Sequence, residues 1–197
     1  MKIYMVRHGQ SGSNAEDVHG GWDQSSLTEK GRADAAIARA RLEGISFDKV
    51  YSSDLNRTIE TQQIALPDAV AERSTLIREI NVGSLQGVSR DACLKKYGDS
   101  YIRNKLRLDF SDYGGETHQQ FRDRICEFLG ALEASSYKNV AVFCHGGVIR
   151  TMMEIITGVN IENKTVAFKC LNCGVYIFEY SGNVWRLDTW NYRGDVR

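Results

Sequence analysis

Two short apolar runs, each followed at once by histidine and glycine, constrain the fold of this chain more than any other feature. Residues 2–7 read Lys-Ile-Tyr-Met-Val-Arg before His8, and residues 138–144 read Lys-Asn-Val-Ala-Val-Phe-Cys before His145. Compact runs of this kind predict strands that are buried on both faces, as in a parallel sheet. Residues 48–52 form a shorter run of the same type and predict a third strand.

Helical periodicity fills the segments that lie around these strands. Residues 117–134 give the clearest case, because apolar residues repeat on one face and Thr117 and Gln120 have the spacing of a capping box. Gly158 is suited to end the last helix. The predicted helices span residues 29–43, 54–66, 117–134 and 147–157.

A hairpin is predicted near the end of the chain, where β-branched and aromatic residues at 175–180 and 184–190 flank Ser-Gly-Asn. Strands that alternate with helices and then end in a hairpin predict a three-layer α/β/α sandwich with a mainly parallel central sheet. We see no repeat, low-complexity tract or linker, and 197 residues suit one domain spanning residues 1–197.

Charge and cysteine content narrow the class of protein. Twenty-five basic residues balance 25 acidic ones, so the whole chain has no general attraction for nucleic acid or for an anionic membrane. The first apolar run is too short for a signal peptide or a membrane span, which favours a cytoplasmic protein. Five cysteines, an odd number, favour reduced thiols. Oligomeric state stays open, with a homodimer as one alternative.

The two histidines occupy the part of an open α/β sheet where ligands bind, outside the carboxyl ends of the strands. His8 and His145 each follow a predicted strand, and each precedes a glycine that lets the backbone approach a ligand closely. Arg7 adds positive charge beside the first histidine. Helix amino ends at this edge also favour anions, so the pattern predicts an anion site.

Several blocks of sequence, in matching order, resemble one family. Residues 7–14, Arg-His-Gly-Gln-Ser-Gly-Ser-Asn, resemble the signature of the histidine phosphatase and phosphoglycerate mutase superfamily. A lone Arg-His-Gly would be weak evidence for a family, but the further blocks extend the resemblance from residue 3 to about residue 150. Similar segments occur at residues 26–31, 52–61, 78–87, 114–117 and 145–147.

The resemblance implies the phosphoglycerate mutase-like fold and a metal-independent hydrolase of small phosphorylated metabolites that needs no cofactor. His8 would attack phosphorus and carry the phosphoryl group, which divides one difficult displacement into two easier ones. Arg7 and Arg57 would clamp the phosphate, since a guanidinium matches two of its oxygens. Glu79 would be the general acid, protonated at the working pH.

Further residues are expected to bind the substrate. The resemblance implies that His145, preferably protonated when phosphate is bound beside it, donates to that phosphate, and that Asn14 adds a neutral hydrogen bond. Gly146 is expected to contact the phosphate beside His145. Trp22 is expected at the mouth of the site, and packing for stability is the alternative explanation.

Other residues with chemical potential receive different predictions. We expect His19 to be solvated and His118 to be a helix-entry residue. No pair of residues has a metal-ligand spacing such as His-Glu-x-x-His, and Cys170 and Cys173 are expected to be buried structural thiols. The basic residues Arg103, Lys105 and Arg107 fit either a contact to a second anionic group or a solvated helix face.

Two alternative functions stay open beside the phosphatase. Cofactor-dependent phosphoglycerate mutases of the superfamily carry a tryptophan before the asparagine of the first motif and a proline-rich insertion, whereas this chain has Ser13 and no such insertion. At Gln86, in contrast, this chain resembles the mutases. A non-catalytic protein that binds phosphorylated partners is disfavoured, because His8, Arg57, Glu79 and His145 are all present.

Overall fold

A computed structural model describes residues 1–159 and 169–192. Six strands form one sheet in the order β3-β2-β4-β1-β5-β6. The pairs β1–β4, β2–β4 and β2–β3 are parallel, and β5 is antiparallel to β1 and β6. The strands are β1 (Lys2–Arg7), β2 (Lys49–Ser52), β3 (Glu72–Arg73), β4 (Asn139–Cys144), β5 (Val175–Ser181) and β6 (Val184–Tyr192).

The four predicted helices are confirmed, with ends that differ from the prediction by one or two residues. The capping box at Thr117 and Gln120 is also confirmed, since each backbone N–H donates to the side chain of the other residue. The helices are α1 (Gly12–Ala15), α2 (Glu29–Leu42), α3 (Asn56–Ala65), α4 (Arg90–Arg107), α5 (His118–Glu133) and α6 (Gly146–Thr157).

Two apolar clusters lie on opposite faces of the sheet. On one face Ala35 and Leu42 of α2 and Ala65 of α3 pack together with sheet residues. On the other face Phe121 of α5 and Ile149 of α6 belong to the larger cluster. The architecture is therefore the predicted three-layer sandwich with a mainly parallel sheet.

The helix α4 was not predicted as an element, and its composition explains why. Leu94, Ile102 and Leu106 are each more than 40% exposed, so they do not form the stripe that marks a helix packed on a core. Gly98 has φ 53° and ψ −132°, a conformation outside the helical region that interrupts the periodicity. The strand β3 was also missed, because two residues give no detectable pattern.

The register of the central strands brings three chain segments to one edge of the sheet. Arg7, at the end of β1, lies opposite Cys144, at the end of β4, and Ser52 of β2 lies opposite Phe143. The residues that follow these strand ends therefore converge. Among the described residues, no helix is both long and apolar enough to cross a membrane.

Candidate active site

His8 and His145 face each other at the carboxyl ends of β1 and β4. The N–H of His8 donates to the carbonyl oxygen of Cys144 at 3.0 Å, which ties the two loops together. The ring centroids of the two histidines lie 5.1 Å apart, and both side chains are buried. The two histidines therefore lie together where β1 and β4 end.

The hydrogen bonding of His8 determines which ring nitrogen is available to a ligand. Nδ1 lies 2.7 Å from the carbonyl oxygen of Gly9, and a carbonyl can only accept, so Nδ1 carries the proton. Burial, followed by the positive charges of Arg57 and Arg7, lowers the pKa of His8 well below its usual 6.5. The neutral ring therefore keeps a lone pair on Nε2.

Two guanidinium groups stand beside His8, that of Arg57 buried and that of Arg7 partly buried. Arg57 donates from Nη1 to Oδ1 of Asp23 at 2.9 Å and from Nη2 to the carbonyl oxygen of Gly21 at 2.7 Å. Arg7 donates from Nη1 to the carbonyl oxygen of Cys170 at 2.6 Å. Within the described part of the chain, Nε of Arg7 is buried without a partner, as expected of a group that serves a ligand.

The carboxylate of Glu79 is fixed against the start of α6. Oε2 accepts the N–H of Gly147 at 3.1 Å, and Oε1 accepts the N–H of Ile80 at 3.0 Å. A Cβ at position 147 would clash with Oε1 of Glu79, so this close approach requires glycine. Ile80 and Val82, close to Glu79 in the chain, are buried and give it an apolar setting.

A large cleft joins these groups, with a volume of about 1020 Å³. Most of the residues predicted to be catalytic or to bind substrate line it, namely Arg7, His8, Asn14, Arg57, Glu79 and Gly146. Oδ1 of Asn14 lies 3.3 Å from Nδ2 of Asn172 and accepts its hydrogen bond. The amide that Asn14 retains for donation is therefore Nδ2.

His145 lies in surroundings that disfavour the protonated form of its ring. It is fully buried, and burial, followed by the charges of Arg57 and His8, lowers the pKa of its ring well below 6.5. Nε2 lies 3.0 Å from Oγ of Ser53, whereas Nδ1 is buried without a partner among the residues described. The ring is therefore neutral in this structure, and a protonated His145 beside bound phosphate stays a prediction.

The structure places Trp22 behind the wall of the cleft. Trp22 is not among the residues that line the cleft. Its indole Nε1 donates to the carbonyl oxygen of Glu79 at 2.7 Å, and the guanidinium of Arg78 lies 4.7 Å from the ring centroid. Trp22 thus supports the backbone that carries Glu79, because its one hydrogen-bond donor is committed there.

His19 is buried, so the prediction of a solvated side chain is wrong. Nε2 lies 2.8 Å from Oη of Tyr101, and the ring lies edge-on to Phe110. Burial lowers the pKa of His19 to about 4. His118 occupies the first position of α5 as predicted, and its Nε2 lies 2.8 Å from Oε2 of Glu154.

The basic residues near the end of α4 do not act as a group. Lys105 lines the cleft, and its Nζ lies 5.8 Å from the ring centroid of Tyr101. Arg103 and Arg107 are not among the lining residues. Only one of the three is therefore positioned to meet a bound molecule within the described structure.

Sequence reasoning missed several residues of the site. Arg150 lines the cleft four residues after Gly146, one turn along the same face of α6, and this spacing could have identified it. Asn172 donates from Nδ2 to the carbonyl oxygen of His8 at 2.9 Å. No local pattern marks Asn172, since its contact joins residues that are distant in the chain.

The thiols and the acidic residues do not form a metal centre in the described part of the chain. Cys170 and Cys173 are buried and unbonded to each other, which agrees with the predicted structural role. Within residues 1–159 and 169–192, no group of three or more His, Cys, Asp or Glu side chains could hold a metal ion.

Comparison with known proteins identifies relatives over most of the chain. The sequence model of the Histidine phosphatase superfamily (branch 1) matches residues 3–193. A 2,3-bisphosphoglycerate-dependent phosphoglycerate mutase from Brucella ovis is 31% identical over 186 residues, 89% of each chain. The 2,3-bisphosphoglycerate-dependent phosphoglycerate mutase 2 from Gloeobacter violaceus is 33% identical over 162 residues, which cover 77% of this chain and 73% of the relative.

Solved structures show the same fold at lower sequence identity. The alpha-ribazole phosphatase from Shigella flexneri superposes with a TM-score of 0.86 at 22% identity, covering 98% of both chains. A mycobacterial glucosyl-3-phosphoglycerate phosphatase gives a TM-score of 0.87 at 24% identity, covering 96% of this chain and 98% of the other.

Proposed function

Because the chain belongs to branch 1 of the histidine phosphatase superfamily, and is thus an enzyme acting on phosphate esters, we propose that it hydrolyses small phosphomonoesters through a phosphohistidine at His8. The observation that carries the proposal is the hydrogen bond from Nδ1 of His8 to the carbonyl oxygen of Gly9. It leaves Nε2 unprotonated in a cleft that is also lined by Arg7 and Arg57. We place this activity in the cytoplasm.

In the first half of the proposed reaction, the lone pair of His8 Nε2 forms a bond to phosphorus. The bond between phosphorus and the ester oxygen breaks, and that oxygen takes a proton from the carboxyl group of Glu79. The products are the free alcohol and a phosphorylated His8. The hydrogen bonds from Gly147 and Ile80 to Glu79 support this role, because they hold the carboxyl group in a fixed orientation.

In the second half, a water molecule attacks phosphorus. Glu79, now a carboxylate, takes a proton from that water, and the bond between phosphorus and Nε2 breaks. Inorganic phosphate leaves, and His8 and Glu79 return to their starting forms. The chemistry balances without a metal ion or an added reductant.

Positive charge in the cleft is proposed to stabilise the phosphoryl group in both steps. Phosphoryl transfer depends mainly on positioning and on stabilising charge on the equatorial oxygens. Arg7 and Arg57 supply that charge, and Asn14 and the backbone of Gly146 supply neutral donors. His145 is proposed to become the further charged donor once a phosphate dianion lies beside it, since an opposite charge favours the protonated ring.

Cofactor-dependent phosphoglycerate mutase is the second candidate, because the curated relatives named above carry that activity in their names. We favour the phosphatase, because an open cleft of this size lets water reach a phosphorylated His8. The two differ in the acceptor of the phosphoryl group, which is water in one and a phosphoglycerate in the other. A non-catalytic phosphate-binding protein is the third alternative, and no contact in the described residues favours it.

The experiment is hydrolysis of p-nitrophenyl phosphate in the presence of a chelator. The wild-type protein is expected to be active, and His8→Ala is expected to lose ~10³-fold or more of that activity. His118→Ala is the matched control, since His118 lies outside the cleft lining, and it is expected to retain activity. An active His8→Ala variant would refute the proposal. Rapid isomerisation of 3-phosphoglycerate in the presence of 2,3-bisphosphoglycerate would favour the mutase instead.

A further inference from the structure

The outer part of the cleft has a different character from the part that holds His8. Three of the large apolar side chains that are most exposed in the described structure line it, and all three come from α4. Leu94 is 44% exposed, Ile102 42% and Leu106 41%. Single exposed apolar residues are ordinary on protein surfaces, whereas several that converge on one concave wall mark a ligand contact.

Buried apolar residues continue this wall toward the phosphate end. Val82 and Phe110 line the cleft and are almost inaccessible to solvent, and Ile80 lies next to Glu79. The loop formed by residues 19–21 joins the two ends, because the carbonyl oxygen of Gly21 accepts from Arg57. A Cβ placed on Gly21 would lie 2.7 Å from Cγ2 of Val82. The apolar wall thus begins directly beside the guanidinium of Arg57.

Charged groups of the outer cleft are not arranged for a second anion. Arg90 forms an ion pair with Asp17, and Lys105 lies over the ring of Tyr101. Two acidic residues, Asp91 and Glu154, line the same cleft and are engaged in the same way, by Lys95 and by His118. A second phosphate or carboxylate would therefore have to compete with protein partners for Arg90 and Lys105.

The cleft is too large to be filled by a substrate as small as a triose phosphate. Its volume of about 1020 Å³ lies at the upper end of the range for pockets that enclose drug-sized ligands, ~300–1,000 Å³. A three-carbon substrate would occupy the region near His8 and leave the α4 wall in contact with water. Apolar surface left in water gives no binding energy.

We infer that the substrate is a phosphomonoester whose organic part is bulky and apolar, and that Ile102 and Leu106 of α4 bind this part. The inference rests on the proposed function, because it assigns the group attached to the phosphate that His8 attacks. The contact lies away from phosphorus, so it acts equally on the bound substrate and on the transition state. Such uniform binding lowers KM and leaves kcat nearly unchanged.

A series of unbranched alkyl phosphates tests the inference, since ethyl, butyl and hexyl phosphate have leaving groups of nearly equal basicity. We expect kcat/KM to rise about fourfold for each added methylene, equivalent to ~0.8 kcal/mol, through a lower KM. The variant Ile102→Ser is expected to reduce this slope, because kcat/KM should fall more for hexyl phosphate than for ethyl phosphate. Ile37→Ser on α2 is the matched control, because Ile37 is 53% exposed and does not line the cleft.

The outcomes separate this inference from the proposed function. Hydrolysis that depends on His8 but is equal for all three esters would overturn the inference and leave the phosphatase standing. A wild-type slope retained in Ile102→Ser and in Leu106→Ser would also overturn it. If no ester is hydrolysed in a His8-dependent manner, the proposed function fails, and this inference fails with it.

Discussion

Oε2 of Glu79 accepts the backbone N–H of Gly147 at 3.1 Å. This hydrogen bond joins a loop residue to the first turn of α6, directly after His145, across 68 positions of sequence. The proposed acid and the second histidine therefore share one support. A substitution at Gly147 should therefore affect catalysis without replacing any side chain that contacts the substrate.

Gly147→Ala is expected to lower kcat ~10²-fold, because its Cβ would displace the carboxyl group of the proposed general acid. The measurement is kcat for ethyl phosphate, whose alkoxide leaving group needs a proton, with circular dichroism to confirm folding. Gly130→Ala in α5 is the control, since its Cβ meets nothing within 4 Å, and alanine should stabilise the helix by up to ~1 kcal/mol. Glu79→Gln should reproduce the loss without a steric change. Wild-type kcat in both variants would contradict the role of Glu79.

Asp23→Asn is expected to raise KM for phosphate esters ~10-fold and to weaken inhibition by inorganic phosphate. Arg57 is buried and is held by Asp23 through an ion pair at 2.9 Å, so loss of the negative charge loosens the guanidinium. The Ki of phosphate is the most direct measurement. Asp54→Asn, which breaks the ion pair with Arg78 outside the cleft lining, serves as the control. An unchanged Ki in Asp23→Asn would show that Arg57 needs no such support.

Trp22→Phe separates the two roles considered for this residue. Phenylalanine keeps a ring against Arg78 but cannot donate to the carbonyl oxygen of Glu79. Loss of one hydrogen bond of ~1 kcal/mol should lower kcat about fivefold and leave KM for ethyl phosphate unchanged. Steady-state kinetics of both parameters provide the test. A rise in KM with constant kcat would instead support direct contact between Trp22 and the substrate.

Stability is expected to fall as the pH decreases below about 6.5, because buried histidines resist protonation in the folded state. His19 is the measurable case, since its pKa is lowered from 6.5 to about 4. Below pH 6.5 the unfolded chain binds a proton that the folded chain does not bind, so the unfolding free energy decreases toward pH 4. Each such histidine contributes at most ~1.4 kcal/mol per pH unit.

Urea denaturation of the wild type and of His19→Gln at a series of pH values tests this prediction. The variant should show a shallower loss of stability between about pH 6.5 and about pH 4. Comparison of the two proteins removes the contribution of carboxylates such as Asp54, whose pKa is lowered by its hydrogen bond with Arg78. Equal slopes in the two proteins would show that His19 does not contribute.

The sequence by itself determined five of the six strands and four of the six helices that the structure describes, together with the positions of His8 and His145. These features could be predicted because they depend on local patterns: a buried run ends, and the next residue lies at the edge of the sheet. Family blocks added Arg57 and Glu79, which the structure brings to the same cleft. Their catalytic roles stay predictions, since the geometry alone tests no chemistry.

Only the tertiary structure decided which polar residues are buried and what they contact. His19 pairs with Tyr101 across 82 positions, and Trp22 pairs with Glu79 across 57. The apolar side of α4 could likewise be interpreted as a ligand contact only because the fold places Ile102 in the cleft. Burial and hydrogen-bond partners are properties of three-dimensional packing between distant segments, and no periodicity within a single segment records them.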